Sequence, residues 1–255
     1  MIDIHSHILY GVDDGAKTVK DSLDMAREAF KQGIKTIYAT PHHLNEQFEN
    51  EAEEIKAAVE LFNNLLKNHL INLTVRPGQE IRINGEILEY LKEGTALTLG
   101  DEGTYLLIEL PANHVPAYTS NLLFDLQVEG FKPIIVHPER NSEIIQKPGI
   151  LYELVKGGAL TQVTAASVAG KFGKKLQKFS LDLIESNLTH FIASDAHNVS
   201  NRSFWMDDAS KVIEQTFGID TIYYLRENAE ILAANEMVIG DQPQRIRSKR
   251  KFKLF

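Results

Sequence analysis

The chain has 255 residues, 43% of them hydrophobic and 24% charged, with a formal net charge of −8 and no cysteine. The missing cysteines exclude disulfides, zinc ribbons and a cysteine nucleophile, and no run of about 18 apolar residues is available to span a membrane. Six basic residues (Arg245, Arg247, Lys249, Arg250, Lys251, Lys253) and no acid fall between positions 244 and 255, which leaves a body near −14 and argues against a nucleic-acid surface.

In chain order, a short apolar strand (Ile2, Ile4) runs into His5-Ser6-His7 and then a turn with Asp13, Asp14 and Gly15. Residues i and i+2 of a strand share a side, so His5 and His7 offer two imidazoles together. Nitrogen and oxygen donors of this kind suit zinc, manganese or iron. Helical spacing of Leu23, Ala26, Ala29 and Phe30 predicts a helix over 18–32, stopped by Gly33. Residues 36–40 read as a buried strand, ended by Pro41 and followed by His42 and His43. A long helix is expected over 50–70. Its acids Glu49, Glu51, Glu53 and Glu54 fit a helix N-terminus rather than a metal site.

The strand 73–76 leads through Pro77-Gly78-Gln79 into Glu80, and a short helix follows over 85–92. The apolar strand 105–110 is interrupted by one acid, Glu109. A helix over 118–129 precedes the strand 132–136, which ends on His137-Pro138-Glu139-Arg140. A helix over 149–156, a strand over 160–164, a helix over 174–186 and a strand over 190–193 come next, the last running into Ser194-Asp195-Ala196-His197-Asn198. Two more helices, over 203–217 and 220–235, complete the expected order.

Seven near-continuous apolar strands, each followed by a helix, imply a parallel sheet covered by helices. Polar residues follow six of the seven. A doubly wound sheet gathers ligands at only one or two strand ends, whereas a barrel brings many to one centre, so the expected fold is a distorted TIM-like (β/α)7 barrel. The pooled candidate ligands are His5, His7, Asp14, His42, Glu80, Glu109, His137, Asp195 and His197. They exceed the three or four that one ion needs, so two or three ions are expected. His69, His114 and His190 read as capping, surface or packing residues. Arg140 and Arg202 lie on loops at the same face, where a guanidinium fork matches phosphate oxygens. Without cysteine the nucleophile of a phosphate-cleaving site would be water, and His43 is the candidate proton donor.

His5-Ser6-His7, Pro41-His42-His43, Gly78-Gln79-Glu80, Ile108-Glu109, His137-Pro138-Glu139-Arg140 and Ser194-Asp195-Ala196-His197-Asn198 resemble the PHP (polymerase and histidinol phosphatase) superfamily. Within it the chain is similar to the bacterial tyrosine-protein phosphatases of capsule and exopolysaccharide clusters, the CpsB/CapC type. The resemblance covers about residues 1–240 and leaves 241–255 as a basic tail. It implies a three-metal centre, typically manganese, with zinc, iron or magnesium as alternatives. By position it puts His5, His7, Glu80 and Asp195 on one ion, Glu80, Glu109 and His137 on a second, and Asp14, His42 and His197 on a third. It further implies that the substrate is the phosphotyrosine tail of a partner bacterial tyrosine kinase. A cytoplasmic location is expected, since no signal peptide is legible. The basic tail would be a means of recruitment to the inner membrane face or a membrane-proximal partner. The rival readings are a histidinol-phosphate or other small-molecule phosphatase, an amidohydrolase, and a low-turnover binding module that docks through the tail. No strand-end lysine suited to bridging two metals favours the amidohydrolase.

Overall fold

A computed structural model describes residues 1–246. Its strands are β1 (Ile2–Ser6), β2 (Thr36–Ala39), β3 (His42–His43), β4 (Thr74–Pro77), β5 (Glu80–Arg82), β6 (Tyr105–Glu109), β7 (Lys132–Val136), β8 (Leu160–Thr164) and β9 (Phe191–Ala193). All pairings are parallel, in the orders β1-β2-β4 and β3-β5-β6-β7-β8-β9. The fold is therefore α/β with parallel sheets, in the alternation that the apolar runs predict.

Two of the seven expected strands are each followed, after a two-residue break, by a short second strand that was not expected. β2 and β3 are separated by Thr40-Pro41, where proline supplies no N–H for the ladder. β4 and β5 are separated by Gly78-Gln79 at the same level of the neighbouring strand. A Cβ on Gly78 would stand 2.8 Å from Leu99 Cδ2 and 3.1 Å from Thr40 Cγ2, so the two breaks pack directly against each other. The end of β9 also meets β1: Asp195 N–H donates to the His5 carbonyl (2.9 Å), His7 N–H donates to the Ala196 carbonyl (2.9 Å), and Ser6 bridges to Ala196.

Alternate strand residues enter different apolar clusters, as period-2 geometry requires. Tyr105, Leu107, Ile134 and Val136 join one with Ile4, Tyr38 and Phe191, while Leu106, Ile108 and Ile135 pack with the helices. The helix Ala52–Asn68 buries Ile55, Val59, Phe62 and Leu66, each side chain contributing about 1.5–3 kcal/mol. Its first turn carries Glu53 and Glu54, in keeping with the positive end of the helix dipole. Thr18 caps the helix Val19–Lys31 in a reciprocal box with Asp21.

Two short helices, Ser142–Gln146 and Ala165–Val168, were not expected from periodicity. They are too short to show any, although Asn141 caps the first by accepting from Ile144 N–H. Of the basic run, Arg245 pairs with Glu153 and lies over the Tyr152 ring at 4.3 Å; residues 247–255 fall outside the described part of the chain. No helix of the described residues is long and apolar enough to cross a membrane.

Candidate metal centre

The ends of the strands and the loops just past them bring three overlapping groups of donors together, the atoms of each lying within 4.8 Å of one another. The first is His7, Asp14, His42 and His197; the second is His5, His7 and Glu80; the third is His42, Glu80 and Glu109. His7, His42 and Glu80 each belong to two groups, so the sites adjoin like links. Seven of the nine expected ligands are thus grouped. The other two lie against them. His137 Nε2 is 2.6 Å from Glu80 Oε1, and Asp195 Oδ1 stands 3.4 Å from His7 Nε2 and 3.7 Å from His5 Nε2. The third group therefore takes His42 where the resemblance implies His137.

The imidazoles are held by their far nitrogens. His7 Nδ1–H donates to Asp13 Oδ2 (2.6 Å), His5 Nδ1–H to Gln162 Oε1 (2.9 Å) and His197 Nδ1–H to the Asp195 carbonyl (2.9 Å). Each bond orients its ring with Nε2 toward the other donors, which is the usual support of a metal-bound histidine. The His5 and His7 Nε2 atoms lie 3.3 Å apart, and the His7 and His197 ring centroids are separated by 3.8 Å. Among the described residues His42 Nδ1, His197 Nε2 and Glu80 Oε2 are buried without a hydrogen-bond partner. His42 Nδ1 and Glu80 Oε2 approach to 2.9 Å without hydrogen-bond geometry. Unpaired buried lone pairs this close cost several kcal/mol, roughly 1–3 each. A cation between them removes that cost, and the sulfur-free N/O donor set fits manganese, zinc or iron.

Charge in the cluster is correspondingly polarised. Burial would raise the Glu80 carboxyl, but the imidazoles of His42 and His5 hold it well below the usual carboxylate range. Burial pushes His197 down to about 4, aided by neighbouring His7, and pushes His137 down to about 4, aided by Arg140. Both rings are neutral at pH 7, the form that ligates. Glu109 is lifted to about 7 by burial and by the charge of Glu80. His137 (φ 36°) and Asp195 (φ 51°) occupy left-handed backbone, strained for residues with a Cβ.

Arg140 Nη2 pairs with Asp195 Oδ2 (2.8 Å), and Arg202 reaches Asp14 Oδ2 (3.2 Å) and Asp195 Oδ1 (3.5 Å). Both arginines line a cavity of about 320 Å³ with His42, Glu109 and His137. His43 is not brought into the groups. As the strand neighbour of His42 it turns the other way, and its Nδ1 accepts from Asn50 N–H (3.2 Å). His69 caps a helix end, His190 is buried in packing, and His114 is an exposed loop residue at the edge of a second cavity beside His42. The supporting roles of Asp13 and Gln162 were not legible as such. Gln162 sits on the one strand whose end offers no ligand, and that gap was the available signal.

Residues 1–234 match the family model described as capsular polysaccharide synthesis, CpsB/CapC. The chain is 49% identical to the tyrosine-protein phosphatase YwqE of Bacillus subtilis (strain 168), with 100% of each chain covered. It is 31% identical over 223 residues to the tyrosine-protein phosphatase CpsB of Streptococcus pneumoniae, covering 86% of this chain and 91% of that one. A solved structure of YwqE, described with CpsB as unique metal-dependent tyrosine phosphatases, superposes with a TM-score of 0.95 over 97% of this chain and 100% of its own. Sequence and fold agree: this chain belongs to the CpsB/CapC family.

Proposed function

We propose that this chain is a metal-dependent protein-tyrosine phosphatase that acts on the phosphotyrosine tail of a partner bacterial tyrosine kinase in capsular or exopolysaccharide synthesis. The observation that carries the reading is the run of three adjoining donor groups beside two arginines, in a chain whose relatives are named tyrosine-protein phosphatases. The nine residues His5, His7, Asp14, His42, Glu80, Glu109, His137, Asp195 and His197 would hold three ions, manganese by preference. When bound, such ions supply Lewis acidity to phosphoryl oxygens and an acidified water as nucleophile.

The chain itself does the rest. Asp13 and Gln162 aim His7 and His5; Arg140 and Arg202, which line the cavity while paired with Asp195 and Asp14, would hold the non-bridging phosphate oxygens as charge builds. The leaving phenolate has a pKa of about 10, so it departs with little proton donation and no strong general acid is required. A closed (β/α)7-type barrel, residues 1–240, accounts for six strand ends meeting at one centre, and the bonds joining Asp195 and Ala196 to His5 and His7 support closure. The basic segment 241–255 would then be a separate element for contact with the kinase or an anionic membrane face.

The test is hydrolysis of a tyrosine-phosphorylated peptide against histidinol phosphate, using chelated, manganese-reloaded and His137→Ala protein. Manganese-restored turnover of the peptide alone, lost in the variant, is the expected result. Turnover of histidinol phosphate alone would overturn the substrate, and no turnover with metal bound would overturn the enzyme.

A further inference from the structure

The centre opens into two cavities that share His42, Glu109 and Ala112. The one described above is walled by Arg140 and Arg202. The other, about 580 Å³, is bounded by Leu44, Phe48, Ile83 and Pro111. This is a size typical of small-ligand sites. Arg82 reaches the second cavity, but its guanidinium is already held by Glu109 Oε2 (3.1 Å) and the Leu110 carbonyl (3.1 Å). The second cavity is mixed in character: those four side chains form its apolar part, and Asp14, Glu46, Gln47, Arg82 and His114 line the rest.

Phe48 is half-buried beside the centre. Its ring lies parallel to the His42 imidazole within 12°, with centroids 6.1 Å apart, an offset stack. The loop behind it is fixed: Leu44 takes left-handed backbone (φ 57°), and Asn45 Oδ1 accepts from Gln47 N–H (3.0 Å) and Phe48 N–H (2.7 Å). An Asx turn of this kind sets the direction of the side chain that follows it.

We propose that Phe48 is the residue that selects an aryl phosphate: the phosphoryl group lies in the arginine-walled cavity, and the phenyl ring it is attached to lies against Phe48 in the neighbouring one. The inference rests on the phosphatase reading and adds to it the element that distinguishes phosphotyrosine from phosphoserine, whose short alkyl chain carries no ring to lie against Phe48. Phe48 acts on binding and orientation of the substrate, and Asn45 is its positioning residue.

The experiment uses two non-hydrolysable probes, benzylphosphonate and methylphosphonate, titrated calorimetrically into manganese-loaded protein whose metal content is measured in parallel. Wild type is expected to prefer benzylphosphonate. Phe48→Ala should reduce the ratio of the two dissociation constants by about tenfold, and Phe48→Tyr should restore it. Asn45→Ala should lower it in part. An unchanged ratio in Phe48→Ala, or loss of metal from Phe48→Ala and Phe48→Tyr alike, would overturn the proposal. Phosphotyrosine-peptide turnover by the same wild-type preparation is scored separately. Turnover without any ring preference sinks the inference and leaves the phosphatase reading standing; ring preference without turnover sinks the reading instead.

Discussion

Glu80 is the residue on which most of the centre converges: fully buried, contacted by His5, His7, His42 and His137, and shared by two donor groups. Glu80→Gln keeps the shape and removes the charge, so bound metal per chain should fall and phosphotyrosine turnover should drop by more than about 100-fold. Metal content by atomic emission and kcat/KM check both. A gentler effect is expected one layer out, where Gln162→Leu removes only the acceptor for His5 Nδ1–H. Metal affinity should weaken by about 10–100-fold, with the fold intact by circular dichroism. The contrast between these residues measures what the sequence disclosed. Glu109 stands out as a lone acid at the end of an apolar strand, because only a special environment tolerates an acid there, and Glu80 as the acid that the strand before it reaches through Pro77-Gly78-Gln79. Gln162 and Asp13 carry no such mark: an amide within a strand and one of two adjacent aspartates look ordinary until the fold sets them behind a histidine. Phe48 was silent for the same reason, since its partner His42 is near in space through a turn whose direction Asn45 sets.

The elements were legible to the extent that they are long and periodic. The helix Gly149–Lys156 falls where its pattern puts it, and the long helices differ only at their ends. The short second strands were not legible, because Pro41 and Gly78 read as strand ends and give no hint that pairing resumes two residues later. The turn after β1 is the element most exposed to a small change. A Cβ on Gly15 would come within 2.2 Å of the His7 carbonyl and 2.5 Å of its Cβ, both rigid atoms. Gly15→Ala should therefore displace the loop that sets Asp13 on His7 and Asp14 in its donor group, and thermal stability should fall by several degrees, with metal affinity falling too. Scanning calorimetry of chelated and reloaded protein separates the two losses; an unaltered Tm and affinity would contradict the close approach.

At the scale of the whole molecule, acid stability has a reporter just before β9, away from the centre. Burial holds the His190 imidazole down at about 4, against about 6.5 in an unfolded chain. The native ring stays neutral where the unfolded ring takes up a proton, so the unfolded state binds more protons between these values. The contribution is complete above pH 6.5 and is lost as pH falls to about 4, a swing of about 3 kcal/mol. Urea unfolding of chelated protein at pH 7 and pH 4.5 should show a smaller acid loss in His190→Gln than in wild type, by about 2 kcal/mol.

The breaks between the strands have a mechanical consequence. His5 and His7 come from the end of the three-stranded sheet, while His42, Glu80 and Glu109 belong to the six-stranded one. Two of the three donor groups thus straddle the line where the two ladders part. An ion held there would act as a keystone, set in the joint between two arches that a few backbone hydrogen bonds already span. Stripping it should loosen the joint before the rest of the molecule, so the amides of Thr40 and Glu80, which bond to Ser6 and Pro41 across and beside the line, should exchange with solvent faster in chelated protein while those of β7 and β8 hold. The catalyst and the masonry would then be the same ions.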